Sequence, residues 1–132
     1  MRKTVYFILL AVLALTVVAC GGGGADSGSG ADVAAGENLF ASTVIGAQPG
    51  CITCHSLTPG ETIVGPSMAG IASRAGSRVP GQSAEEYIRE SILLPDAHLV
   101  EDFPAGTMPQ VWGEELSNEQ VDQLVAYLLT LQ

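Results

Sequence analysis

Positive charge is scarce in this sequence of 132 residues, which has 5 basic and 14 acidic side chains. The only lysine is Lys3, and the cations after residue 19 are three arginines, Arg74, Arg78 and Arg89. Without residues 1–19, 3 basic groups would face 14 acidic ones, a formal charge near −11. Nucleic-acid binding requires a basic surface, so this class of function is excluded. So acidic a protein is expected to meet a basic partner or to dock through apolar contacts.

The first twenty residues have the pattern of an export signal. Arg2 and Lys3 precede an apolar run over residues 5–18, and small residues lead to Cys20. This pattern predicts a signal peptide over residues 1–19, and the apolar run is short for a membrane span. A cleavage site that ends at cysteine resembles that of bacterial lipoproteins, in which Cys20 would become a lipidated N-terminus. An uncleaved membrane anchor is the alternative.

Residues 20–31 are expected to tether a folded domain to the membrane. Residues 21–30 read GGGGADSGSG, a composition typical of flexible coil, with an r.m.s. span of roughly 17 Å. Two or more acyl chains on Cys20 would give stable anchoring. The predicted location is therefore the outer face of the cytoplasmic membrane, extracytoplasmic or periplasmic, with one domain over residues 32–132.

The domain is predicted to be all-α, with three to five helices and no strand. Asp32 is expected to cap a first helix over about 33–42. Ser83 and Ser117 each begin a capping-box pattern, which predicts one helix ending at Leu94 before Pro95 and a last helix after Ser117. Residues 56–82 and 95–113 are rich in glycine and proline and are expected to be loops, with a short helix near 68–73.

The chemistry is concentrated in Cys51-Ile52-Thr53-Cys54-His55, a C-x-x-C-H motif. Two thiols at this spacing can add to the two vinyl groups of haem, and the adjacent histidine can then bind the iron. Behind an export signal this motif predicts one covalent haem c. A thioredoxin-like redox pair and half of a zinc site, with His98 as a further ligand, are the alternatives. No cysteine remains for a structural disulfide.

With this motif, the sequence resembles a class I cytochrome c from about residue 33 to its end. It is most similar to the cytochrome c domains associated with bacterial haem-copper oxidases. Four stretches carry the resemblance: Gly36 to Phe40 with the haem motif, Gly65 to Arg74, Tyr87 to Pro95 leading to Gly106 to Gln110, and Leu116 to Leu129. The resemblance implies a small fold around one haem, with crossed N- and C-terminal helices.

The resemblance also assigns roles in packing. Gly36 would let the first and last helices approach closely, and Phe40 would pack against Tyr127. The segment from Phe40 to Cys51 is longer than in the commonest members of the family, so it is expected to bulge as a surface loop.

Around the haem, the resemblance implies two further contacts. The carbonyl of Pro66 would accept a hydrogen bond from the iron-bound His55, as such histidines usually have an acceptor for the second ring nitrogen. Arg74 would pair with a buried haem propionate, whereas an arginine there could otherwise be a solvated charge.

The sixth iron ligand has three candidates. Met108 lies between Thr107 and Pro109 in a loop and matches the ligand methionine of the family, so it is the predicted ligand. Met68 is expected on the same side as His55, and His98, expected to face solvent, would give a bis-histidine site. Trp112 is expected either near the exposed haem edge or as an ordinary core or surface aromatic.

The expected function is transfer of single electrons, with no catalytic residue of its own. Ligation by histidine and methionine raises the reduction potential relative to two histidines. The expected partners are redox proteins with a basic docking surface, such as a quinol-oxidising complex, a terminal oxidase or a reaction centre, and the protein could be a carrier or a fixed subunit. The alternative is a haem enzyme or gas sensor with a labile sixth ligand.

Overall fold

The computed structural model describes residues 30–132, which contain five α-helices and only two very short strands. This architecture confirms the predicted all-α class. The predicted signal peptide, Cys20 and most of the predicted tether lie outside the described residues. The elements are α1 (Gly30–Ala41), β1 (Val44–Ile45), β2 (Gln48–Pro49), a 3₁₀ turn (Cys51–Thr53), α2 (Ile71–Ala75), α3 (Ala84–Leu93), α4 (Trp112–Glu115) and α5 (Asn118–Leu128).

None of the helices within residues 30–132 combines the length and the apolar character that a membrane crossing needs.

Both predicted capping boxes are present. The Ser83 hydroxyl accepts the N–H of Glu86, and the Glu86 carboxylate accepts the N–H of Ser83 at 2.8 Å. Ser117 and Gln120 make the same pair of bonds at the start of α5. Because these bonds satisfy N–H groups that have no partner inside the helix, the two starts are fixed locally.

Helices α1 and α5 cross at Gly36. A Cβ atom at this position would lie 1.9 Å from the Gln123 carbonyl oxygen and 2.9 Å from Tyr127 Cβ, so only glycine permits the approach. One turn later the Phe40 and Tyr127 rings pack with centroids 5.6 Å apart and planes tilted by 53°. The crossing and this aromatic contact agree with the expectation from the sequence.

The core lies between α1, α3 and α5. Helix α3 buries Ile88 and Ile92. Helix α5 buries four apolar residues at helical spacing: Val121, Leu124, Val125 and Leu128. At the surface, Arg89 of α3 pairs with Asp122 of α5 at 2.6 Å. Such an exposed pair contributes about 1 kcal/mol or less, so burial of the apolar faces dominates the packing.

The start of α1 differs from the prediction. The helix begins at Gly30, and Asp32 lies in its first turn rather than at its cap. A carboxylate in the first turn still interacts favourably with the N-terminal end of the helix dipole. The sequence therefore predicted that Asp32 lies at the N-terminal end of the helix, but it wrongly made Asp32 the cap.

The segment between Phe40 and Cys51 is not the strand-free surface loop that we predicted. Val44 pairs with Pro49 and Ile45 with Gln48 in a short antiparallel ladder. Gly46 adopts a φ of +57°, the left-handed conformation that two-residue hairpin turns require. Ile45 points into the core with 6% of its surface exposed. Strands of two residues are too short to show a hydrophobic periodicity.

Two short helices also differ from their predicted limits. Helix α2 spans Ile71–Ala75 rather than 68–73, because Gly70 adopts a φ of +71° and cannot belong to the helix. Helix α4 begins at Trp112, inside the segment predicted to be a loop up to residue 113. The predicted helix after Ser83 is confirmed, with Leu94 as its cap before Pro95.

Candidate haem site

A cleft opens between the 3₁₀ turn, α3, α5 and the long loop that follows α3. Counted with its open mouth, it has a volume of about 1370 Å³. The six residues predicted to bind the cofactor all line it: Cys51, Cys54, His55, Pro66, Arg74 and Met108. The structure therefore brings together residues that are up to 57 positions apart in the sequence.

The 3₁₀ turn presents the motif to the cleft. The N–H groups of Cys54 and His55 both donate to the Cys51 carbonyl, at 3.1 and 2.9 Å. The Thr53 hydroxyl donates to the Gly50 carbonyl at 2.6 Å, which closes the turn from its other side. The two thiols and the imidazole are consequently fixed relative to each other by a few backbone bonds.

The two thiols are free and half-buried. Burial raises the pKa of the Cys51 thiol to about 11, with a smaller contribution from Cys54. Reactive cysteines in redox pairs have a lowered pKa, because the thiolate is the attacking species. Burial acts in the opposite direction at Cys51, so this environment does not favour the thiolate that a redox pair needs.

The imidazole of His55 is held by one strong contact. Its Nδ1 lies 2.8 Å from the Pro66 carbonyl oxygen. A carbonyl only accepts, so Nδ1 carries the proton and Nε2 keeps its lone pair. Burial lowers the pKa of His55, which favours the neutral ring. A neutral imidazole with a free Nε2 is the form that binds a metal, and this contact is the one that the resemblance implied.

The loop after the motif returns to it through backbone bonds. The N–H groups of Val64 and Gly65 donate to the Cys54 carbonyl at 3.2 and 2.9 Å. Gly65 faces the imidazole so closely that a Cβ would lie 2.5 Å from His55 Cε1. A side chain at this position would therefore displace the ring. The sequence pattern included Gly65 in the family resemblance but did not assign it this role.

Arg74 is also fixed by the backbone of this loop. Its two terminal nitrogens donate to the carbonyls of Ala69 and Ser67. Burial, and next the charge of Arg78, lowers the pKa of Arg74. Both arginines line the cleft, so two of the three arginines within residues 30–132 lie on it. Arg78 was not predicted as a site residue; it lies three residues beyond the end of α2, where its N–H donates to the Ala75 carbonyl at 3.1 Å.

Both candidate methionines line the cleft. Met68 comes from the segment beside Pro66, where its N–H donates to the Ser56 carbonyl at 2.8 Å. Met108 comes from the separate loop after α3 and packs partly buried against the core. The two thioethers therefore reach the cleft from different parts of the chain.

His98 does not face solvent as we predicted. Its Nε2 lies 3.0 Å from a Glu90 carboxylate oxygen, and its ring stacks on Tyr87 with centroids 6.4 Å apart. Only 35% of its side chain is exposed. The prediction was wrong because the chain turns after Pro95 and lays this part of the loop against α3.

Trp112 is buried, with 4% of its surface exposed, and lines the cleft. Its indole N–H and the hydroxyl of Ser91, which also lines the cleft, have no hydrogen-bond partner within the described part of the chain. Buried donors normally have partners, so these two fit a bound molecule with oxygen acceptors. Together with the apolar walls, the paired thiols and the arginines, they fit haem and its carboxylates.

The metal-binding alternative finds little support. Among residues 30–132 no three side chains of histidine, cysteine, aspartate or glutamate come together in a way that could hold a metal ion. A structural zinc site needs four such ligands.

A family model described as cytochrome c matches residues 33–132. No curated protein matches the chain.

We predict that Gly65→Ala displaces the His55 imidazole and weakens its bond to Pro66. Overpacking at such a site costs about 1–3 kcal/mol, so less protein with attached haem should accumulate and its absorption spectrum should change. Gly76→Ala is the matched control, because its Cβ would lie 3.4 Å from the nearest atom, Ala84 N. Equal yield and an identical spectrum for both variants would contradict the close contact inferred at Gly65.

Proposed function

The chain belongs to the cytochrome c family, and on that premise we propose that it carries single electrons through a covalent haem whose iron is bound by His55 and Met108. As a member of this family, the protein carries haem c and takes part in electron transfer. The ligands, the membrane tether and the partners are the parts that we propose.

Haem supplies an iron that gains and loses one electron, and the protein tunes it through its axial ligands and their hydrogen bonds. The observation that carries the proposal is the hydrogen bond from His55 Nδ1 to the Pro66 carbonyl, which leaves the Nε2 lone pair available for a metal. Such a second contact raises the basicity of the ligand and fixes its orientation.

Met108 is favoured over Met68 because of where each is held. Met68 is bonded to Ser56, the residue directly after His55, and so belongs to the same wall as the proximal histidine. Met108 belongs to a loop with no backbone bond to that wall among those of residues 30–132. A sixth ligand has to come from the other face of the haem, which the Met108 loop can supply.

An electron carrier differs from a haem enzyme or sensor in having both axial positions filled. Two protein ligands leave no position for a substrate at the iron, so electrons pass through the haem edge. An open or labile sixth position is what an enzyme or gas sensor would need. The ligation by Met108 is therefore the point that separates the two functions.

For Met108→Leu we predict loss of the weak far-red absorption band that a sulfur ligand gives to oxidised haem iron. Carbon monoxide should then bind readily to the reduced protein. The control is Met68→Leu, a nearly volume-conserving change that should cost less than about 1.5 kcal/mol and keep the band. Loss of the band in the control alone would assign the ligand to Met68. Immediate carbon monoxide binding by the unaltered protein would favour the enzyme or sensor.

The location that we propose is the outer face of the cytoplasmic membrane. The apolar run ending at Cys20 and the glycine-rich stretch after it support this, with residues 20–31 as the proposed tether. A domain held this way can move laterally and over a limited radius. A role as a fixed subunit of an oxidase or a quinol-oxidising complex is compatible with the same tether.

We predict that Cys20→Ala abolishes lipidation and either releases the protein from the membrane or leaves it as an uncleaved precursor. The reason is that the acyl chains would be attached at this residue. Mass spectrometry of the purified N-terminus and fractionation of membranes provide the measurement. A mature N-terminus without acyl chains in the unaltered protein would contradict the lipoprotein hypothesis.

The partner that we propose has a basic docking surface. Acidic groups dominate residues 30–132, and two of the three arginines have partners of their own: Arg74 is bound to backbone carbonyls, and Arg89 is paired with Glu85 and Asp122. The exterior therefore carries little positive charge to offset the carboxylates. Opposite charge on the partner would accelerate encounter.

Electron transfer to such a partner should slow as salt is added. The Debye length falls from about 10 Å at 0.1 M to about 3 Å at 1 M, which screens the attraction. Stopped-flow kinetics with a lysine-rich redox protein would measure this. Ferricyanide, an anionic oxidant, is the control and should instead react faster at high salt. A salt-independent rate with the basic protein would indicate apolar docking or a permanent contact.

A further inference from the structure

The loop that carries Met108 has no regular secondary structure. It covers residues 94–111, between α3 and α4, without helix or strand. Loops of this length are uncommon in small domains unless side chains hold them in place. Because the proposed ligand Met108 lies near the end of this loop, whatever fixes the loop also fixes the thioether.

The first anchor is the contact between His98, in the loop, and Glu90 of α3. The His98 Nε2 faces the Glu90 carboxylate at 3.0 Å, and since a carboxylate only accepts, Nε2 carries the proton. The same Glu90 oxygen accepts from Gln82 Nε2 at 2.6 Å, which fixes the acceptor. The His98 ring also stacks on Tyr87, which is 5% exposed and belongs to the core. His98 is thus held by a hydrogen bond and by a buried ring.

The second anchor joins the two ends of the loop. Both carboxylate oxygens of Asp96 accept from the N–H of Gly106, at 3.0 and 3.1 Å. Gly106 has a φ of +74°, so the turn suits glycine. Between these ends, Phe103 N–H donates to the Val100 carbonyl at 3.0 Å.

The last contacts lead on to Met108. The Thr107 hydroxyl donates to the Pro104 carbonyl at 2.8 Å, and Gln110 Nε2 donates to the Met108 carbonyl at 2.9 Å. The loop is thereby braced from Asp96 to Gln110. We expect a displacement of the loop at His98 to reach Met108 through these contacts.

We propose that His98 is a positioning residue that ties the Met108 loop to α3 and so determines how firmly the thioether occupies its axial site. This proposal rests on Met108 being the sixth ligand. His98 acts through the loop and does not itself bind the iron. Glu90, fixed by Gln82, is the other half of the anchor.

The test measures imidazole binding to the oxidised haem protein, because imidazole has to displace the sixth ligand. Without this contact the loop holds the thioether less firmly, so His98→Ala and Glu90→Ala should each tighten imidazole binding about tenfold. His98→Gln retains an N–H donor and should restore much of the original affinity. Glu101→Ala, an exposed change in the same loop, is the control and should leave it unchanged.

The double variant gives an independent check. If His98 and Glu90 act through one contact, His98→Ala together with Glu90→Ala should bind imidazole no more tightly than either single variant. Should His98→Ala fail to fold, Glu90→Ala carries the test, because it leaves the ring free to stack on Tyr87. Unchanged imidazole affinity in Glu90→Ala, or in a folded His98→Ala, would overturn the proposal.

The ligation by Met108 and the positioning role of His98 would be contradicted by different results. If the unaltered protein lacks the far-red band, or Met108→Leu keeps it, the ligation is wrong and the positioning role falls with it. If Met108→Leu loses the band while the anchor variants bind imidazole like the original protein, the ligation stands and only the role of His98 is wrong.

Discussion

The contact between His55 Nδ1 and the Pro66 carbonyl is the interaction on which the rest of the site depends. It fixes the tautomer of the imidazole and leaves Nε2 available for a metal, while burial favours the neutral ring. The contact exists only because the chain returns to the motif, through two backbone bonds to the Cys54 carbonyl, and because Gly65 has no side chain to obstruct the ring. The proximal wall is therefore built almost entirely from backbone groups.

The opposite wall is built differently, because the loop over residues 94–111 depends on side chains for its position. Asp96 closes it, and His98 with Glu90 attaches it to α3. Side-chain contacts are more easily broken than a ladder of backbone bonds, so this loop is held less firmly than the segment that returns to His55. The haem motif can be recognised from adjacent residues, whereas the contacts that hold the loop depend on the fold around it.

Features encoded by neighbouring residues could be predicted from the sequence. The capping boxes at Ser83 and Ser117 and the haem motif each involve residues within five positions, and the family resemblance supplied Gly36, Phe40 and Tyr127. Features that depend on distant contacts could not. The hairpin at Ile45 has strands of two residues, and the inward position of His98 depends on Glu90 across a turn of the chain. The orphaned indole of Trp112 likewise has meaning only beside the cleft it lines.

The distribution of charge connects the site to the exterior. Arg74 and Arg78 line the cleft, and Arg89 is neutralised by Glu85 and Asp122, so the few cations after residue 29 serve the interior or the helix packing. The remaining surface is acidic, and two copies of this chain repel each other at close range. Tethered to a shared membrane, such copies would resist self-association while keeping attraction for a basic surface. The scarcity of cations therefore bears on the choice of partner, and Arg74 and Arg78 place positive charge beside the cleft.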